Sequence, residues 1–183
     1  MTARQRAWPR QWLMTDERLG EHLWPAIARL PNGEAGVVFR HHATPPQERS
    51  TLALRVAQAC RERGFVLAIA RDPDLARELG AELVHNPRQP TELPFSMSVH
   101  TLEEARDARR LGAALVFVSP VSATRSHPGR APLGPELAMR IALAAEVPAI
   151  ALGGMNATAF ADLPVNAFEG WAAIDAWLSD SDR

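Results

Sequence analysis

Two hydrophobic periodicities alternate along this chain. Short runs with almost no polar position, such as Phe-Val-Leu-Ala-Ile-Ala at 65–70 and Ala-Leu-Val-Phe-Val-Ser at 114–119, have the pattern of strands buried on both faces. Between such runs, apolar residues recur near helical spacing, as do Leu52, Leu54, Val56 and Ala59 within 46–64. The punctuation agrees. Asp72-Pro73 opens one segment and Gly80 closes it, while Thr101 and Glu104 form a capping box ahead of a helix that ends at Gly112. The pattern predicts strands near 11–15, 36–41, 65–70, 81–85, 95–99, 114–119, 148–152 and 166–169. Helices are predicted over 21–30, 46–64, 72–80, 101–112, 135–145, 156–162 and 171–179, with none between 86 and 94.

Doubly buried strands alternating with helices require a parallel sheet covered by helices. Eight such units across 183 residues favour an α/β fold of the (β/α)8 TIM-barrel type, as one small domain over 1–183. An open doubly wound sheet of about five or six strands is the alternative.

Polar residues and glycines gather just after the strand ends. They are Arg40 and His42, Arg71 and Asp72, His85, Ser98 and His100, the stretch 119–129, Gly153 and Gly154, and Gly170. In parallel α/β folds the carboxyl ends of the strands form the site face, so these positions converge there. Glycines between strand and helix free backbone amides for an anion, which makes Gly153-Gly154 and Gly170-Trp171-Ala172 candidates for a phosphate cradle. The competing reading is that they are plain turns.

Composition narrows the chemistry. All 20 basic residues are Arg, so cationic work falls to Arg or His. A net charge of -1 argues against a general nucleic-acid binder, and no apolar run approaches the roughly 18 residues of a membrane helix. The single Cys60 excludes an internal disulfide framework and fits a cytoplasmic protein, with a transit peptide around Arg4, Arg6 and Arg10 as the alternative. No metal motif of His or Cys spacing occurs, and His41 and His42 are adjacent, so they are expected to point apart.

Several stretches together resemble thiamine phosphate synthase and its relative, the thiazole tautomerase TenI. They are Trp-Leu-Met-Thr-Asp-Glu-Arg-Leu (12–19), Gly-Val-Val-Phe-Arg-His-His (36–42), the segment 74–85, the segment 95–129 and Val-Pro-Ala-Ile-Ala-Leu-Gly-Gly-Met-Asn-Ala (147–157). The resemblance implies a small TIM barrel in thiamine biosynthesis. Its substrates would be a hydroxymethylpyrimidine pyrophosphate and a methyl-hydroxyethylthiazole phosphate, with Mg²⁺ assisting the departure of pyrophosphate. It implies Arg40 and Ser98 on the pyrophosphate side, His42 and His127 where the family has lysines, and Thr124 on the thiazole phosphate. Gly153, Gly154, Trp171 and Ala172 would cradle that phosphate, with Gly170 in the same turn and Arg125 as a further phosphate donor.

The departures from the family concern the metal. An Asn-Asp pair is replaced by Ala70-Arg71, and Val-His-Asn-Pro-Arg-Gln-Pro (84–90) carries no acid, so Asp72 is the only candidate for Mg²⁺ and weak or absent binding is expected. The tautomerase histidine after the sixth strand is replaced by Pro120. Three readings stay open: a divergent synthase, a TenI-like isomerase, and a barrel that binds a thiazole or thiamine phosphate without catalysis. The expected partners are small phosphorylated substrates, not nucleic acid or membrane, and a homo-oligomer is allowed.

Overall fold

In the computed structural model, which describes residues 7–123, 131–164 and 166–178, the apolar runs become a ring of strands. In chain order these are β1 (Gln11–Met14), β2 (Ala35–Phe39), β3 (Val66–Ala70), β4 (Leu83–His85), β5 (Phe95–Val99), β6 (Leu115–Val118), β7 (Ala149–Leu152) and β8 (Gly170–Ala173). Each pairs in parallel with the next, and β1 pairs with β8 through Gln11↔Trp171 and Trp12↔Ala172, so the sheet closes into a TIM barrel. The open-sheet alternative is excluded.

Six helices lie between the strands: α1 (Leu23–Arg29), α2 (Pro46–Arg63), α3 (Pro73–Leu79), α4 (Leu102–Leu111), α5 (Gly134–Ala145) and α6 (Ala157–Ala161). Their ends follow the punctuation. The Asp72 carboxylate accepts from the Leu75 amide and Gly80 takes the left-handed conformation after α3, at φ 66°. The Thr101 hydroxyl accepts from the Glu104 amide, while the Glu104 carboxylate accepts from the His100 amide, one residue outside the usual reciprocal box. Residues 86–94 carry no helix, as the pattern implied.

The eighth unit differs from its prediction. The strand starts four residues later than expected, at Gly170, and the predicted helix over 171–179 is replaced by β8 and a single 3-10 turn, Asp175–Trp177. In Gly-Trp-Ala-Ala only Trp171 favours a strand, while glycine and alanine are depleted in strands. It is a strand because its backbone closes the ladder between Ile150 of β7 and Gln11 of β1.

Inside the barrel three rings form a chain of edge-to-face contacts. Trp12 meets Phe117 at 5.5 Å, and Phe117 meets His85 at 5.2 Å. His85 thus stands on an aromatic column that fills the barrel below the strand ends.

Candidate active site

The carboxyl ends of β1 and β2 present a guanidinium pair. Arg40 follows β2 and donates through Nε to the Thr15 carbonyl and through a terminal nitrogen to Asp16 at 2.9 Å. Asp16 also receives Arg18 at 2.6 Å, so two cations share one carboxylate. Burial lowers the Arg40 pKa, and Asp16 opposes that shift. His41 and His42 lie just past the strand and part as expected: His41 is buried against the Phe39 ring, whereas His42 is exposed at the mouth. Partial burial, then the charges of Arg71, Arg40 and Arg49, push His42 down to about 4. Solvent reaches this ring and screens those charges. His42 is therefore a neutral imidazole at neutral pH, unlike the lysine it replaces.

At the ends of β3 and β4, Arg49 of α2 works as a clip. It donates to the His41 carbonyl at 3.1 Å, the Ala70 carbonyl at 3.1 Å and the Asp72 carboxylate at 2.9 Å, with its guanidinium over the Phe39 ring. Arg71 is held in a left-handed backbone conformation, φ 67°, by its amide bond to the His85 carbonyl. A cavity of about 330 Å³ lies here, lined among others by His42, Arg71 and Arg88. A larger one, about 650 Å³, sits at the opposite end of the barrel beneath Trp8 and Trp171, away from this chemistry.

Between β4 and β5 a polar lock surrounds His85. The Asn86 amide oxygen accepts from the Ser98 backbone N–H at 2.8 Å, which directs its nitrogen toward His85 Nε2 at 3.2 Å and Ser98 Oγ at 3.3 Å. An amide nitrogen only donates, so Nε2 accepts and the proton sits on Nδ1, donated to Ser96 Oγ at 3.0 Å. Burial, then the charges of Arg40, His42 and Arg71, hold His85 at about 3. It is a neutral residue that orients Ser98 and carries no mobile proton near neutrality. One strand further on, His100 Nδ1 donates to the Ser119 carbonyl at 2.6 Å.

After β7 the Gly153-Gly154 turn has both residues at positive φ, 98° and 66°. A Cβ on Gly153 would come within 2.9 Å of the Pro120 Cα, and one on Gly154 within 2.6 Å of the Ala123 carbonyl oxygen. The turn therefore packs directly on the chain that leaves β6. Ser122 N–H donates to the Gly153 carbonyl, while the Gly153 and Gly154 amides reach no carbonyl of a described residue.

The second half of the expected cradle is corrected. Gly170, Trp171 and Ala172 are not a strand-to-helix turn but the body of β8, and the Trp171 amide donates to the Arg10 carbonyl at 2.8 Å. Gly170 is glycine for a packing reason, since a Cβ there would lie 2.1 Å from the Arg10 carbonyl oxygen. Thr124, Arg125 and His127 lie outside the described residues.

The residues that resemblance assigns to Mg²⁺ do not fit a divalent cation. Both Asp72 oxygens are engaged, one by the Leu75 amide at 3.0 Å and the other by Arg49 at 2.9 Å. Arg71 replaces a carboxylate beside it, and among the described residues no group of three or more His, Cys, Asp or Glu is arranged to hold a metal. Sequence reading missed Asp16, Arg49 and Asn86. Asp16 and Asn86 had a local signal, each being the first polar residue past a predicted strand, and Arg49 had none.

Comparison with known proteins agrees with the barrel fold. The family model described as thiamine monophosphate synthase matches residues 13–177. A thiamine biosynthesis bifunctional protein, ThiM/ThiE, of Symbiobacterium thermophilum is 31% identical over 169 residues, and the match covers 85% of this chain but only 35% of that protein. A thiamine-phosphate synthase of Syntrophomonas wolfei is 26% identical over 186 residues, covering 93% of this chain and 89% of that one. Among solved structures, a thiamine phosphate pyrophosphorylase from Pyrococcus furiosus superposes with a TM-score of 0.78 at 22% identity, covering 94% of this chain and 90% of the other, a likeness of fold. No helix among the described residues is long and apolar enough to cross a membrane.

Proposed function

The chain belongs to the thiamine monophosphate synthase family, and from that premise we propose that it is a transferase joining a hydroxymethylpyrimidine pyrophosphate to a methyl-hydroxyethylthiazole phosphate with release of pyrophosphate. One observation carries the reading: a single barrel mouth offers two separate places for anions. One is the guanidinium rim of Arg40 and Arg71; the other is the Gly153-Gly154 turn after β7, with both residues at positive φ.

In this reaction the thiazole nitrogen attacks the pyrimidine methylene carbon. The carbon–oxygen bond to pyrophosphate breaks, and its electron pair departs with the leaving group. Negative charge grows on the departing oxygens, so fixed cations placed there accelerate the step. Arg40 and Arg71 meet that charge, with Ser98 as a hydroxyl donor oriented through Asn86 and His85. The Gly153 and Gly154 amides hold the thiazole phosphate, with Thr124, Arg125 and His127 assigned to the same phosphate from the resemblance alone. No step is routed through a metal. The buried free thiol of Cys60 supports a cytoplasmic setting.

The test gives purified protein both substrates, with and without Mg²⁺, and follows thiamine phosphate and pyrophosphate in parallel. Stoichiometric appearance of the two products supports the reading. Binding of either substrate without any product under both conditions would overturn it.

A further inference from the structure

We propose that this barrel holds diphosphate with two unpaired guanidinium groups, Arg71 and Arg88, in place of a divalent cation. The inference deepens the synthase reading and rests on it, because that reaction releases pyrophosphate.

The charges at this rim fall into two classes. Arg18 and Arg40 share Asp16, and Arg49 is paired with Asp72. Arg71 and Arg88 line the same cavity of about 330 Å³, and neither makes an ion pair with a described carboxylate. Two exposed cations facing one cavity leave a positive field that an anion would relieve. Burial first, then the charges of Arg71, Arg40 and Arg49, lower the pKa of the His42 imidazole at the cavity edge. Guanidinium presents a planar fork matched to phosphate oxygens and remains charged at any working pH.

Asp72 lines the cavity too, but both its oxygens are already engaged, one accepting from the Leu75 amide at the start of α3 and the other from Arg49. The two acids that line the cavity are both paired, Asp72 with Arg49 and Asp74 with Arg77, so a metal there would displace an arginine and face Arg71. The sign of the metal effect follows. In a site built from acids, Mg²⁺ bridges protein and diphosphate and strengthens binding. Here Mg²⁺ competes with the guanidinium groups for the same oxygens and weakens it.

The experiment is calorimetric titration of the full chain with inorganic pyrophosphate, in EDTA and then in excess Mg²⁺. Binding in EDTA that weakens severalfold with Mg²⁺ is expected. Arg71→Gln and Arg88→Gln should each weaken the EDTA titration by about tenfold or more, as loss of a charge-assisted contact does. Asp72→Asn, which keeps the helix cap, should bind as tightly as wild type or tighter. Binding that appears only with Mg²⁺, that both arginine variants leave unchanged, or that Asp72→Asn abolishes would overturn the proposal. The two readings fail separately. Metal-free binding through Arg71 and Arg88 with no thiamine phosphate formed would sink the synthase reading alone. Thiamine phosphate formation with pyrophosphate binding that needs Mg²⁺ would sink this one alone.

Discussion

Gly36 of β2 lies beneath the indole of Trp12 in β1, so close that a Cβ at Gly36 would fall 2.2 Å from the ring. The two residues are register partners in the ladder, and the ring occupies the space a side chain would need. Gly36→Ala must push Trp12 off the aromatic column on which His85 stands. We expect a loss of about 2–3 kcal/mol, measured by urea denaturation, since overpacking costs that order. An unchanged midpoint would mean that the indole relocates freely.

Acid should unfold this protein through His85. Its folded pKa of about 3 lies below the ordinary value of 6.5, so the unfolded state binds more protons between those values. Stability is then fully present above about pH 6.5 and falls as pH drops toward 3, by up to about 1.4 kcal/mol per pH unit. His85→Gln should lower stability at pH 7 yet flatten the acid limb, as read from denaturation curves at several pH values. A variant with the wild-type slope would remove His85 from this role.

Arg71 keeps a left-handed backbone that costs a non-glycine residue about 1 kcal/mol. Arg71→Gly should therefore leave thermal stability equal or higher while lowering affinity for pyrophosphate. A drop in melting temperature would show that the side chain contributes to folding.

The Gly153-Gly154 turn is predicted to resist substitution on two grounds, positive φ and contact with the chain after β6. Gly154→Ala should cost about 2 kcal/mol and reduce affinity for a thiazole phosphate at least severalfold, because the amides shift with the turn. Calorimetry with that ligand at a temperature where the variant stays folded separates the two effects.

Seven of the eight strands could be read from the sequence because their interior runs state their burial directly, as 65–70 does. The eighth could not. Gly170 through Ala173 are extended by hydrogen bonds to β1 and β7, and nothing local requires it. The same division holds at the site. Arg40 and the glycine pair were visible because each follows a strand end, and Ser98 because it is a polar residue one position before the end of β5. Arg49 was not: its partners lie 8, 21 and 23 positions away, and it sits in the first turn of a helix, where a cation is locally unfavourable. The engagement of Asp72 was hidden for a related reason, since sequence names the carboxylate but not the two donors that already occupy it.

The connection between β4 and β5 leaves the weakest seam in the hoop. β4 has three residues, and only Val84↔Phe95 and His85↔Ser96 join it to β5, with no helix over the join. A closed ring has no edge until one joint parts, and this joint is the one with fewest rungs. Across it run the bonds of His85 to Ser96 and of Asn86 to Ser98. The groups that orient Ser98 are also the staples of the seam. Amide exchange in β4 and β5 would therefore report on the anchoring of Ser98 and on unzipping together, and a substitution that loosens one will loosen the other.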